Sequence, residues 1–272
     1  MSDAVVSLPA FASELLEHVI VGEKPLPRGF AGLSPAEIDC FNYYQTHRIQ
    51  DRTLARSQLH QDLWVAFLLD CWNPHSPFHR NGFFVEFGAL DGVTLSNTYL
   101  FEKQFGWRGI LVEPAPELLA QCLKRRACIT DSRCVWRSSG ETVAFNQVPG
   151  NEELATIDEC GSSDFHAATR ESNKQIIQVP TVSLTDLLVG WKAPEIIDYL
   201  SIDTEGSEYE ILKVFDFTRY AFRTLSVEHN FTPQREQIRE LLASHGYERV
   251  PLSFERFDDM YARLDLLPLR TA

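Results

Sequence analysis

Phe83-Phe84-Val85-Glu86-Phe87-Gly88-Ala89-Leu90-Asp91-Gly92 is the stretch on which the fold turns. Its compact apolar run, Phe83 to Phe87, predicts a buried strand in which Glu86 is the single charge. The strand empties into Gly88, Asp91 and Gly92. Glycines at such a strand end let a ligand approach the backbone and the N-terminus of the following helix. The spacing is not the GxGxxG fingerprint of dinucleotide sites, because only Gly88 and Gly92 are glycines and acids flank them. Those acids disfavour a diphosphate and suit a sulfonium cation that carries an ammonium group. Glu113 ends the next predicted strand, where a carboxylate can accept both hydroxyls of a ribose.

Outward from this stretch the chain alternates. A helix is predicted over Val93 to Phe105, a strand over Ile110 to Val112, and a helix after Pro114 and Pro116. Strand character returns at Cys134 to Trp136, Thr142 to Phe145 and Gln175 to Val182, and Ser183 with Asp186 predicts a capped short helix. Ile196 to Ile202 reads as a strand, Ser207 with Glu210 as a capping box, and Phe222 to Val227 as another strand. A helix carrying Ile238, Leu241 and Leu242 and a last strand over Met260 to Leu266 close the pattern. Repeated strand–helix units predict an α/β fold with a largely parallel sheet covered on both faces. Residues 149–174 interrupt the pattern as a polar insertion, either a mobile loop over the site or a structured cover.

Residues 1–77 differ from 78–272. They read as a helical N-terminal extension, with short apolar groups over 1–35, a helix start at Ser34-Pro35-Ala36-Glu37 and a helix over Ser57 to Asp70. This extension is expected to cover the side of the sheet that carries the site. Asn73-Pro74-His75-Ser76-Pro77 marks the boundary.

The 272 residues carry 25 Lys and Arg against 38 Asp and Glu, a net charge of −13 that opposes broad nucleic-acid binding. No apolar run approaches the length of a membrane span. Without a secretory signal, the six cysteines are expected as reduced thiols in a cytoplasmic protein. The oligomeric state is not written in the sequence. Nucleophile elbows, HExxH zinc motifs and Walker loops are missing, which disfavours serine hydrolase, zincin and P-loop chemistry.

Three ordered motifs carry a family resemblance. The run from Gly82 through Thr98, the run Gly106-Trp107-Arg108-Gly109-Ile110-Leu111-Val112-Glu113-Pro114, and Ser201-Ile202-Asp203-Thr204-Glu205-Gly206-Ser207-Glu208 closely resemble the FkbM-type S-adenosylmethionine-dependent methyltransferases. Ser57-Gln58 and Gln61-Asp62 resemble a short segment found upstream in that family. The resemblance implies a Rossmann-like class I methyltransferase fold, with seven strands and the last one antiparallel. It also implies O-methyl transfer to a hydroxyl or carboxyl group of a sugar or secondary metabolite, so the expected partner is a small-molecule or glycan acceptor. By the same resemblance Glu86, Gly88, Asp91 and Gly92 surround the methionine part of the cofactor, Glu113 holds its ribose, and Asp131 or Ser132 contacts its adenine. Leu90 departs from the polar residue common at its position.

Asp203, Glu205, Glu228 and His229 fall at the C-terminal ends of two predicted central strands, where an open α/β sheet keeps its ligand crevice. His229, with Asp203 and Glu228, is expected to remove the acceptor's proton, because imidazole titrates near neutrality. The same four side chains could instead hold a divalent metal that acidifies a bound hydroxyl. Two other readings compete: a cofactor-binding structural or regulatory protein without turnover, and a nicotinamide dehydrogenase, which the missing GxGxxG opposes.

Overall fold

The computed structural model describes residues 52–71, 73–162, 164–250 and 256–267. The helix expected from Ser34 and the apolar groups of residues 1–35 lie outside the described residues. In chain order the elements are α1 (Gln61–Leu68), β1 (Phe83–Phe87), α2 (Tyr99–Phe105), β2 (Arg108–Val112) and α3 (Pro116–Arg125). They continue as β3 (Ile129–Asp131), β4 (Cys134–Trp136), β5 (Thr142–Asn146), β6 (Thr156–Ile157), α4 (Ala167–Ser172) and β7 (Ile176–Ser183). The last third holds α5 (Leu184–Gly190), β8 (Ile196–Ile202), α6 (Glu208–Leu212), β9 (Ala221–Glu228), α7 (Gln234–Ser244), β10 (Glu248–Val250) and β11 (Asp258–Ala262).

Seven strands form one sheet in the order β10-β11-β9-β8-β1-β2-β3. Only β11 runs against its neighbours, pairing antiparallel with β9 and β10, while the pairs among β3, β2, β1, β8 and β9 are parallel. This is the Rossmann-like arrangement with one reversed strand that the family resemblance implies. Because β1 is followed by β2 on one side and paired with β8 on the other, the winding reverses there and opens a crevice at the C-terminal ends of both strands.

Side chains alternate between two cores, as the two-residue period of a strand requires. Phe84 packs with Trp64 and Phe67 of α1, Phe101 and Phe105 of α2, and Tyr199 of β8. Val85 and Phe87 point the other way, toward Leu184 and Leu187 of α5, Ile211 of α6 and Leu242 of α7. Among the described residues no helix is long and apolar enough to cross a membrane, and Cys71, Cys122, Cys128, Cys134 and Cys160 are free thiols.

Two helices are shorter than expected, each because a buried acid claims the chain before it. Glu86 lies on the α2 face of β1, 3% exposed. Its carboxylate accepts hydrogen bonds from Ser96 Oγ at 2.9 Å, Asn97 N at 2.6 Å and Thr98 Oγ1. Residues 93–98 therefore wrap the carboxylate, with Leu95 in the left-handed region at φ 56°, and α2 starts only at Tyr99. Asp62 likewise accepts from Arg56 N and Ser57 Oγ, so the chain turns at His60 and α1 begins at Gln61. The final run also differs: β11 ends at Ala262 and Leu264–Leu266 is a single 3-10 turn.

The insertion joins a second, smaller sheet of order β4-β7-β5-β6. Gln147 N donates to Gln175 O at 3.0 Å, and Gln175 N to Asn146 Oδ1 at 3.0 Å, so the excursion leaves and returns at one point. Between those ends lie β6 and α4.

Gly88 sets how closely β1 and β8 approach. Its φ is +69°, and a Cβ would overlap the backbone carbonyl oxygen of Asp203. Gly88→Ala is accordingly expected to cost about 3 kcal/mol through strain and overlap, a fall of roughly 6–12 °C in melting temperature. A melting temperature within 2 °C of wild type would show that the strand ends can part without cost.

Candidate active site

A cavity of about 360 Å³, within the size range of small-molecule sites, opens at the C-terminal edge of the large sheet. Gly88 follows β1, Glu113 follows β2, Asp203 and Glu205 follow β8, and Glu228 ends β9; all five line it. Insertion residues from Asn151 to Ala155, with Phe165, His166 and Thr169, form the opposite wall. A larger cavity of about 830 Å³ at the other edge of the sheet contains none of the predicted site residues.

The acidic residues separate into roles. Glu86 reaches the cavity wall, but its oxygens are engaged by residues 96–98, with the Arg126 guanidinium 3.8 Å away. Burial raises its pKa, against the opposing pull of Arg126 and its hydroxyl and amide donors. Glu113 is 3% exposed and accepts from Ala115 N at 2.9 Å. Burial pushes it up to about 7, the Ala115 and Leu90 amides acting the other way.

Asp203, Glu205 and Glu228 each offer an oxygen within 4.8 Å of the others. Burial raises all three, first and most. Asp258 and Glu208 push Asp203 further, while its hydrogen bond with Glu228 opposes the rise. Asp203 and Glu205 push Glu228.

Glu205 is compensated differently. Arg170, 2% exposed, spends all five N–H groups: on Leu154 O at 3.0 Å, Gly161 O at 3.2 Å, both oxygens of Asp164 at 2.7 and 2.9 Å, and Glu205. Asn230 Nδ2 adds a bond to Glu205 at 2.9 Å. The loop beneath is tied by Glu208, whose Oε1 accepts from Thr204 N at 2.9 Å and Gly206 N at 3.1 Å. Ser207 bonds Thr204 Oγ1 at 2.7 Å instead of capping α6, so the expected capping box does not form. Ser183 does cap α5, accepting from Asp186 N at 3.1 Å.

The structure does not bring the remaining predicted residues to the cavity wall. Asp91 closes its own turn, accepting from Val93 N and Thr94 N at 2.8 and 2.7 Å and pairing with Arg125. Gly92, at φ +80°, makes room for Cys122 and Arg126 behind the crevice. The Asp131 carboxylate is taken by Arg133 and, at 2.7 Å, by Trp191 Nε1, and Ser132 is exposed. His229 points away from the acids. Its Nδ1 accepts from Phe231 N at 3.0 Å, which leaves the proton on Nε2, 3.6 Å from Asp259. Burial lowers its pKa to about 4 despite Asp259. With one ring nitrogen accepting and the other protonated, this imidazole presents no free lone pair to the cavity.

Arg170 and Asn230 were not legible as site residues, because nothing marks the single arginine of a polar insertion, or an asparagine just past β9, as folding inward. The nearest signal is the acid Asp164 six residues before Arg170, a spacing too loose to single it out.

The family model for the methyltransferase FkbM domain matches residues 86–249, more than half of the chain. The chain is similar to methyltransferase sdnD of Sordaria araneosa, at 25% identity over 241 residues, covering 78% of this chain and 88% of that protein. Among solved structures it is similar to fibrillarin of Aeropyrum pernix with natively bound S-adenosyl-L-methionine, at TM-score 0.40 and 13% identity over 77% of this chain and 76% of that one. It is also similar to the N-terminal domain of human METTL16 in complex with SAH, at TM-score 0.40 and 13% identity over 76% and 70%.

Removing one partner of a buried ion pair strands the other, at a cost of about 3–5 kcal/mol. Arg170→Met is therefore expected to loosen the insertion locally and make residues 150–172 the first site of limited proteolysis, under conditions that leave the wild type intact. Unchanged protease resistance would show that Arg170 does not hold the wall.

Proposed function

The chain belongs to the methyltransferase FkbM family and is thereby an S-adenosylmethionine-dependent methyltransferase, and on that premise we propose that it methylates a hydroxyl oxygen of an uncharged sugar or secondary metabolite. The observation that carries this reading is the group of Asp203, Glu205 and Glu228, within 4.8 Å of one another and in one cavity with Gly88 and Glu113. A wall so rich in carboxylates disfavours an anionic acceptor, so a hydroxyl fits better than a carboxylate.

The residues suit the cofactor. Glu113 is a buried carboxylate with acceptor capacity left for a ribose diol, and the acidic wall complements a sulfonium and an ammonium group. S-adenosylmethionine supplies an electrophilic methyl group; its transfer to a hydroxyl leaves neutral S-adenosylhomocysteine and releases the hydroxyl proton. The chain must orient the acceptor oxygen, exclude water and hold that proton. The Asp203–Glu228 pair is the proposed proton acceptor. Its raised basicity brings it nearer the range useful at neutral pH. His229, committed to Phe231 and facing Asp259, is left out of this role.

A divalent metal is the second reading, because the three carboxylates have ligand spacing. A metal at Glu205 would compete with the Arg170 guanidinium already bound there. The two readings part on one experiment. With uncharged glycosides and polyols as acceptors, S-adenosylhomocysteine production should fall about 10²–10⁴-fold in Asp203→Asn and Glu228→Gln, with cofactor affinity within a few-fold. Activity that survives chelation supports proton acceptance by the pair. Loss on chelation, restored by magnesium or manganese, would move the triad to metal binding.

Glu113 gives a pH prediction. If it accepts the ribose hydroxyls, binding favours its ionised form, so affinity is lost as pH falls through about 7. S-adenosylhomocysteine should bind about ten-fold more tightly at pH 8 than at pH 6, and Glu113→Gln should flatten that slope. Calorimetry showing the same slope in the variant would remove Glu113 from the ribose.

A further inference from the structure

Three phenylalanines stand in a row, Phe165 and Phe257 on the cavity wall and Phe231 packed against Phe257 beyond it. Phe165 is 58% exposed and Phe231 62% exposed, with half-buried Phe257 between them, its ring centroid 6.4 Å from Phe165 and 6.2 Å from Phe231. Phe165 and Phe257 line the same cavity as Asp203 and Glu228. Contiguous apolar surface at the rim of a polar pocket is a mark of ligand recognition.

The backbone holds the outer ring there against its own preference. Asn230 and Phe231 are consecutive left-handed residues, at φ 42° and 57°, a conformation uncommon for any side chain but glycine and least for bulky ones. The turn persists because His229 and Phe257 fix it. Phe231 N donates to His229 Nδ1, Thr232 N donates to His229 O at 2.8 Å, and His229 N donates to Phe257 O at 2.7 Å. Asn230 is meanwhile pinned to Glu205. A strained turn at a site, over-determined by its surroundings, is the usual form of a functional clamp.

Charge selects the occupant. The floor below the rings carries the acid group and the wall carries Glu152 and Glu153, while the buried Arg170 is spent on Asp164 and Glu205 and the buried Arg126 on Glu86 and Glu102. Aromatic faces are themselves electron-rich. An anion is repelled by both surfaces, whereas an uncharged ring loses nothing on the acids and gains the apolar rim.

We propose that Phe165, Phe257 and Phe231 form the acceptor lip of this enzyme, seating the apolar face of an uncharged, hydroxyl-bearing ring molecule above the acid floor. The assignment rests on the methyltransferase reading and adds the chemical class that the site selects.

The test uses the full chain and two fluorescent probes that share one aromatic ring: 4-methylumbelliferyl β-D-glucoside, which is neutral, and the corresponding glucuronide, which is anionic. The neutral probe should bind, and the glucuronide at least ten-fold more weakly. Phe165→Ala/Phe231→Ala should weaken the neutral probe at least ten-fold while S-adenosylhomocysteine affinity stays within two-fold. Both side chains are exposed, so the variant retains its core; Phe231→Ser alone, expected to lose part of the affinity, serves as a second check. Equal binding of the two probes, no binding of the neutral probe, or variants that bind like wild type would overturn the lip. So would pelleting with phosphatidylcholine vesicles that the double variant loses, which would assign the rings to a membrane surface. Phenylalanine-dependent probe binding without any binding of S-adenosylhomocysteine would sink the methyltransferase reading and leave the lip standing.

Discussion

The close approach of Gly88 to the carbonyl of Asp203 is the constraint from which the site follows. Only a residue without Cβ lets the ends of β1 and β8 meet there, at the point where the winding of the sheet reverses. The meeting sets the β1 turn beside the loop after β8, and the parallel register of β9 then adds Glu228 to the same edge. Four strand ends thus deliver carboxylates to one volume, and their mutual repulsion in a poorly solvated space becomes the central electrostatic fact of the molecule.

That repulsion is managed in three ways. Glu86 is surrounded by donors from its own downstream loop. Glu205 is neutralised by a guanidinium delivered from the insertion. Asp203 and Glu228 are shifted by burial toward their protonated forms. The first is paid for by the shortened helix α2, and the second makes the insertion part of the site's charge balance. A buried acid stripped of such partners would be among the most destabilising changes available to the protein.

These physics decide what a reader of the sequence can see. The main strands and the positions of Glu86, Gly88, Glu113 and Asp203 follow from apolar runs that end in glycines and acids, because strand ends in an open parallel sheet converge on one edge. Side-chain direction does not follow. His229 sits one residue past Glu228, and the alternation of a strand turns it to the Asp259 side while Glu228 faces the acids. The start of α2 was hidden for a related reason: Ser96, Asn97 and Thr98 satisfy Glu86, a tertiary demand that helical periodicity cannot register. Arg170 lies furthest from legibility, since its five hydrogen bonds go to four residues, Leu154, Gly161, Asp164 and Glu205.

The hydrogen bonds that join Gln147 and Gln175 to one another and to Asn146 give the insertion a common stem. Everything between those residues departs from one place and comes back to it, docking on the way through the pairing of β6 with β5 and through the Thr156 hydroxyl on the Thr204 and Glu205 carbonyls. The molecule is modular in that sense: one part built by strand ends, and one excursion held by its stem, by β6 and by the inward Arg170. The charge balance of the acid floor thus hangs from a single stem, through the arginine that the excursion carries to Glu205.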